Sequence, residues 1–215
     1  MIVSMWMARN LVTISATTTI SRAAATMTEK KIRRLPVVDT SLQGDRLLGL
    51  ITASDLYRAY PPNMNPFAAT AQDVPGSTLK VADIMTRAPT TTTPEAPIEE
   101  AARIMRDTKV GALPVLRGEL LVGIITESDI FRAFVSIFSL SRGGARVTFE
   151  ATEGEDLFKF VGGLVAARKS RVVSLITTQQ DGKPVCVMHV NGGAIDALLD
   201  DLWKSRHKVL NVLRH

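Results

Sequence analysis

Cysteine and histidine are nearly missing: Cys186, His189, His207 and His215 are the whole supply in 215 residues. A single thiol permits no intrachain disulfide and fits a reducing compartment, so the expected location is cytoplasmic. The histidines show none of the paired Cys, His or carboxylate spacings of a metal site. Cys186 has no nucleophile elbow around it and reads as a buried, inert thiol. No Walker-type loop or dinucleotide fingerprint is present. These absences point to a sensor and not an enzyme. Apolar runs such as that around Phe134 to Leu140 fall far short of the ~20 residues that span a bilayer. The opening MIVSMWMARN lacks a basic stretch followed by an apolar one, so neither a membrane partner nor a secretory signal is expected.

What remains is ordinary globular composition, 46% apolar and 22% charged, in a length that suits one or two domains. The net charge of +5 is spread along the chain with no long basic stripe, so nucleic acid is not the expected partner. The one dense cluster is Lys30, Lys31, Arg33 and Arg34. It reads equally as a solvated helix end or as a phosphate-facing group.

The chain repeats itself. Moving residues 3–38 by 78 positions sets Met7, Ile20, Ala23, Ala24, Met27, Lys31, Leu35, Pro36 and Val37 on identical residues. Beyond a turn four residues longer in the first copy, an offset of 74 aligns Leu47, Gly49, Ile51, Thr52, Ser54, Asp55 and Arg58 with identical partners. Each copy reads β-α-β-β-α. A Thr-rich strand (Thr13 to Ser15; Thr90 to Thr93) is followed by a helix with an apolar face (Ile20 to Met27; Ile98 to Met105). Met27 and Met105 are expected to fill core. A buried strand then ends on Thr-x-Ser-Asp, at Thr52 and at Thr126, where a helix begins. That helix start offers unpaired N–H groups to an anion such as phosphate, with the Thr hydroxyl as a further donor and the carboxylate as acceptor for ribose. The same spacing also makes a capping box that satisfies only its own backbone.

Residues 61–80 carry Pro61, Pro62, Pro66, Pro75 and Gly76, which argue against a helix or strand in this connection. It is either a lid or a tether. Ser141 to Gly144 marks a boundary. After it come a strand from Ala145, a helix through Leu157 and Leu164, a hairpin around Asp181-Gly182, a helix through Leu198 and Leu202, and a last strand from Val209. That is βαββαβ, the ferredoxin-like order. Gly162 and Gly163 weaken their helix by ~1 kcal/mol each relative to Ala. Close approach of another backbone across a pair, or a simple kink, would account for them.

Taken together, Val81 to Thr86, Pro94, Ile98 to Met105, Leu113-Pro114-Val115 and Gly123 to Asp129 resemble a tandem CBS-domain pair, the Bateman module. The resemblance covers residues 1 to about 138. Residues 145–215, with Gly154 in the first strand–helix loop, more weakly resemble an ACT domain, although Thr152 to Asp156 replaces that family's Asp-Arg-Pro-Gly loop. The implied class is α/β (α+β), with repeats at 1–60 and 81–138, a linker at 61–80 and a ferredoxin-like ACT-like domain at 145–215. Chains with this layout resemble the acetoin-utilisation type of CBS–ACT protein. The resemblance implies repeats packed sheet against sheet, clefts for AMP, ADP, ATP or S-adenosylmethionine as a regulatory ligand, no obligatory cofactor, a homodimer and a target protein. It places ribose at Asp55 and Asp129 and phosphate at Thr52 and Thr126, next to Ser54 and Ser128. Ile32, Arg33, Arg34 and Pro36 line one cleft, Val110, Gly111, Ala112 and Pro114 the other, with Thr13 and Thr91 on the Thr-rich strands. Arg33 and Arg34 face Gly111 and Ala112 in the repeat, so the clefts are expected to differ. The segment Met5 to Ala8 lacks the usual Asp and Thr. Alternatives are an assembly module with vestigial clefts, or an amino-acid sensor working through the ACT-like domain.

Overall fold

The computed structural model describes residues 1–39, 44–61, 64–68, 79–138 and 143–214. Most of the 61–80 connection lies outside them. The chain divides into two units, Met1–Ala133 and Phe134–His215.

In the first unit each copy supplies a helix, a hairpin and a closing helix. The first copy has α1 (Ile20–Lys30), β1 (Arg34–Asp39), β2 (Arg46–Thr52) and α2 (Ala53–Ala59). The second has α3 (Val81–Ile84), β3 (Thr86–Arg87), α4 (Ile98–Thr108), β4 (Ala112–Arg117), β5 (Leu120–Thr126) and α5 (Glu127–Phe138), of which the first unit holds the part up to Ala133. The expected apolar faces are the buried ones, with Met27 and Met105 in the cores. Lys31 and Lys109 end α1 and α4 in the left-handed conformation, both at φ 54°. Each hands its N–H back to the preceding turn, as a helix C-terminus requires. The hairpins β1–β2 and β4–β5 meet at a single pair, Arg46 opposite Leu120, in the strand order β1-β2-β5-β4.

The two cores do not follow the two copies. Val3 and Met7, from the start of the first copy, are buried with Ile98, Leu113, Ile125 and Ala133 of the second. Val81 is buried with Ile20, Leu35, Ile51 and Leu56 of the first, and Ile84 and Met85 pack beside it. The leading segments are exchanged. Backbone bonds fix the exchange: Val3 N–H to Ala96 O at 2.9 Å and Ala8 with Ile124 in both directions, mirrored by Val81 N–H to Thr18 O at 2.8 Å and the pairing of β3 with β2. At each crossing the exchanged strand passes over a glycine. A Cβ on Gly49 would lie 2.7 Å from the Thr86 carbonyl oxygen and 2.8 Å from Met85 Sδ. One on Gly123 would lie 2.6 Å from Met7 Sδ and 3.1 Å from Ala8 O.

Two departures from expectation have clear causes. The Thr-rich strands shrink to single parallel bridges, Ile14 with Val37 and Thr92 with Val115. Extending either ladder toward the chain start would need the N–H of Pro36 or Pro114, which does not exist. The first copy opens as a one-turn 3-10 helix, Val3–Met5, with no side-chain cap, whereas Asp83 Oδ2 accepts the Lys80 N–H at 2.8 Å to start α3. Met5 stands where Asp83 does in the repeat, so the first copy has nothing to cap with.

The second unit is β6 (Ala145–Glu150), α6 (Leu157–Ala167), β7 (Ser170–Gln180), β8 (Lys183–Gly192), α7 (Ile195–Lys204) and β9 (Val209–Arg214). Its antiparallel sheet runs β7-β8-β6-β9, the ferredoxin-like arrangement. Asp181 and Gly182, at φ 51° and 75°, make the mirror-image turn that suits the twist of the β7–β8 hairpin. Phe149, Met188, Leu198 and Leu202 form the core with Cys186, whose thiol burial pushes up to about 11. Nothing within 4 Å would meet a Cβ on Gly162 or Gly163, so no part of this chain's described structure requires glycine there.

In this unit a polar chain, buried at His207 and nearly so at Glu155, ties the β6–α6 loop to the turn before β9. His207 Nε2 lies 2.6 Å from Glu155 Oε2, and its Nδ1 lies 3.0 Å from Ser205 Oγ, whose proton goes to Leu202 O at 2.6 Å. Arg206 adds a 3.1 Å bond to Glu155 Oε1, and the His207 ring packs on Phe149 and Phe160. Burial opposes ionisation of Glu155, but hydrogen bonds from His207, Arg206 and the Thr152 N–H outweigh it and hold the carboxyl below its ordinary 4.5.

Two outcomes are expected. Chemical denaturation should rank the alanine variants by what the new methyl meets. Gly49→Ala, against backbone, costs most, about 1–3 kcal/mol; Gly123→Ala costs less, and Gly111→Ala, which meets only side-chain ends, least. A depressed folded-state carboxyl contributes stability that is present above 4.5 and lost as pH falls through the lower folded value. Glu155→Gln should therefore lower the unfolding midpoint at pH 7 and flatten its fall between pH 5 and 3; an unchanged slope would show that Glu155 is not a source of the acid sensitivity.

Candidate functional site

Each repeat places a threonine at the end of its second strand and an aspartate in the first turn of the closing helix. Asp55 Oδ2 accepts from the Thr52 N–H at 2.8 Å and from its hydroxyl at 2.7 Å, and the Asp55 N–H returns a 3.3 Å bond to Thr52 Oγ1. Asp129 does the same with Thr126, at 2.9, 2.7 and 3.3 Å. The second carboxylate oxygen faces an arginine one turn on: Arg58 at 2.7 Å for Asp55, Arg132 at 2.6 Å for Asp129. The capping box is thus formed in both copies, and each threonine hydroxyl gives its proton to its own aspartate. The arginines are mostly in solvent, so the second oxygen is reachable by exchange of a mobile partner.

A cleft of about 480 Å³ opens beside the first of these boxes. That volume is within the range that holds small organic ligands. Both copies build it. The first contributes Arg33 and Arg34 from the entry to β1, and Thr52, Ser54, Asp55 and Arg58 from the β2–α2 junction. The second contributes Thr86 and Ala88 to Thr90 from its exchanged leading segment, and Lys109 to Ala112 from the α4–β4 turn. Four cations, Arg33, Arg34, Arg58 and Lys109, line it against the single carboxylate of Asp55. Backbone geometry holds the floor: the Ala53 N–H bonds Arg33 O at 2.9 Å, and at the equivalent point of the other copy the Glu127 N–H bonds Gly111 O at 3.2 Å.

Arg34 is the half-buried cation of the set. Burial and the neighbouring Arg33 charge push its guanidinium below the usual range, and Glu127 acts in the opposite sense. Its guanidinium reaches across to Gly111 and fills the space that a side chain there would take; Glu127 Oε2 lies 2.8 Å from the same point. Glycine at 111 is what lets an arginine of one copy lie against the other.

Of the residues singled out in the sequence, the cleft gathers Arg33, Arg34, Thr52, Ser54, Asp55, Val110, Gly111 and Ala112, so the residues before β1 and before β4, expected in two separate clefts, line a single one because Arg34 reaches across to Gly111. Thr126, Ser128 and Asp129 stand at the other helix start and do not line it. Pro36 and Pro114 are buried within β1 and β4, Ile32 packs against the first core, and Thr13 and Thr91 do not line the cleft. Thr90 lines it one residue from Thr91. Arg58, Lys109 and Thr86 were not expected there. Arg58 could have been found, since it recurs as Arg132; Lys109 depended on a left-handed turn with no glycine to mark it. Among the described residues, no group of three or more His, Cys, Asp or Glu is placed to hold a metal ion, and no helix is long and apolar enough to cross a membrane.

Comparison with known proteins bears on the first unit. A CBS domain-containing protein of Dictyostelium discoideum is 35% identical over 140 residues, 63% of this chain and 92% of that one. Some curated relatives are much longer: the chain spans 22% of an inosine-5'-monophosphate dehydrogenase of Korarchaeum cryptofilum, at 34% identity over 57% of its own length. Among solved structures, a Vibrio cholerae protein assigned to acetoin utilization (AcuB) matches at 29% identity and a TM-score of 0.53, over 65% of this chain and 94% of that one. CBSX2, solved with AMP, matches at 27% and 0.53 over 64% and 98%. The CBS domain pair of protein MJ0100, solved with 5'-methylthioadenosine and S-adenosyl-L-methionine, matches at 26% and 0.52 over 63% and 97%. With the CBS domain matching twice, at residues 3–62 and 81–136, the chain belongs to the CBS domain family.

Proposed function

We propose that the chain is a cytoplasmic regulatory protein that binds an adenosine-containing ligand in the cleft between its two CBS repeats. The observation that carries this reading is the make-up of the cleft: one ribose-competent carboxylate, Asp55, beside four cations, with walls from both copies. Asp55 Oδ1, now held by the exposed Arg58, would accept from ribose hydroxyls. Arg33, Arg34 and Lys109 would face phosphate, the arginines through paired N–H donors that suit its oxygens. That two similar structures hold AMP, or S-adenosyl-L-methionine with 5'-methylthioadenosine, supports the ligand class. The excess of cations favours the phosphorylated members of it.

Regulation follows from the two-sided wall. A ligand that touches both copies stabilises the arrangement in which both reach it, and so shifts the population toward that arrangement. At 100 times its dissociation constant, such a ligand adds ~2.7 kcal/mol to stability. The second unit, read as an ACT-like domain, would pass the change to a target protein. Its β6–α6 loop commits Glu155 inward to His207 and Arg206, which weighs against the reading of an amino-acid sensor there. The first unit also exposes Phe131 on α5 and Tyr57 on α2, apolar surface that a second copy would cover in a homodimer.

Calorimetric titration with ATP, AMP, adenosine and S-adenosylmethionine tests the ligand. Replacing Arg33 and Arg34 together by alanine should weaken ATP at least tenfold and adenosine less than threefold. Asp55→Asn should weaken both alike. Equal loss of ATP and adenosine in the arginine variant would mean that the pair packs and does not meet phosphate. Sedimentation at micromolar concentration tests assembly: a dimer is expected both for the full chain and after removal of residues 144–215. A monomeric full chain would exclude it.

A further inference from the structure

The repeat is broken at two places that the fold brings together. Glu127 occupies the first turn of α5 where Ala53 occupies that of α2, and Arg34 replaces the small Ala112 of the other copy. Neither substitution has an equivalent across the pseudo-symmetry. Gly111 lies between them. The Arg34 guanidinium and the Glu127 carboxylate both close on the space left by its absent side chain. Arg34 and Gly111 line the cleft, whereas Glu127 does not. The carboxylate is thus close to the cation at Gly111 without being part of the cleft wall.

Arg34 has a second like charge beside it in Arg33, and Glu127 is the opposite charge acting on it. An anion entering the cleft competes for the same guanidinium. We propose that Glu127 is a specificity-determining residue of the cleft: it holds Arg34 against Gly111 and so tempers the cleft's preference for polyphosphate over uncharged ligands. This rests on the reading of the cleft as a site for an adenosine ligand, but the pairing is a property of the two side chains and can be read with a phosphate chain alone. The effect is specific to the charged part of a ligand. A neutral nucleoside gains nothing from a freed guanidinium.

The experiment is a double-mutant cycle on the full-length protein, by calorimetry at low salt, with inorganic tripolyphosphate, ATP and adenosine as probes. Glu127→Gln should tighten tripolyphosphate and ATP about three- to tenfold, the size expected of one partly screened charge at this range, and leave adenosine within twofold. In an Arg34→Ala background the same change should give less than a twofold gain, because the cation it releases is gone. Glu99→Gln, the same charge change on the exposed face of α4, should leave all three probes within twofold. The proposal is overturned if Glu127→Gln leaves tripolyphosphate affinity unchanged, or if its gain persists without Arg34 or is matched by Glu99→Gln. If tripolyphosphate responds as expected while ATP binds no better than tripolyphosphate and adenosine not at all, the pair stands and the adenosine reading falls. If neither phosphate probe binds the wild-type protein, both fall.

Discussion

Everything in the first unit hangs on two places where one backbone crosses another with no room for a side chain. At Gly49 and Gly123 the exchanged strand lies so close that a methyl group would meet a carbonyl oxygen or a methionine sulfur inside 3 Å. The close approach lets Met85 and Met7 lie over the strands that end in Thr52 and Thr126. From those strand ends the capping boxes, the helix starts and one wall of the cleft all follow. The arrangement is steric before it is chemical: the hydrogen bonds of β3 with β2 and of Ala8 with Ile124 can form only because nothing stands between the strands.

Much of this was legible in the residues, and what escaped did so for definable reasons. The duplication exposed the helices, the hairpins and the Thr-x-Ser-Asp boxes, because periodicity and capping are local. It could not expose the exchange of leading segments. Aligning residues 3–38 with 81–116 says that Val3 and Val81 are equivalent, not which core each enters. Packing at home and packing across give the same set of contact types when the two cores are alike, so the pattern carries no information that separates them. Prolines 36 and 114 were visible, but their effect on the Thr-rich bridges depends on a strand pairing that only the fold supplies. In the second unit the βαββαβ order could be read from alternation and turn residues, whereas the inward turn of Glu155 could not: its partners, Arg206 and His207, are more than fifty positions away.

The cleft was read best where the copies disagree. Arg33 and Arg34 drew notice because Gly111 and Ala112 face them in the repeat, and all four line the cleft. Glu127 breaks the repeat in the same way, against Ala53, and the same comparison would have found it. A residue shared by two copies is needed for what both do, which is to fold; a difference between them marks what one does alone. That distinction is physical here. The shared aspartates cap helices in both places, while two unshared charges, Arg34 and Glu127, meet at Gly111.

The exchange of segments also sets a constraint in time. Residues 3–8 have no core to enter until residues 94–133 exist, and each half holds a strand that completes the other. During synthesis at about 5–20 residues per second, the leading segment waits on the order of five to twenty seconds with its apolar side chains uncovered. Neither copy can close early, since the contacts that finish each core join residues far apart in the chain, and such contacts come late because loop closure precedes their reward. The two repeats are therefore one cooperative unit in folding, whatever their independence as sequence. A ribosome that stalls between them releases not half a sensor but a chain with two unfinished cores.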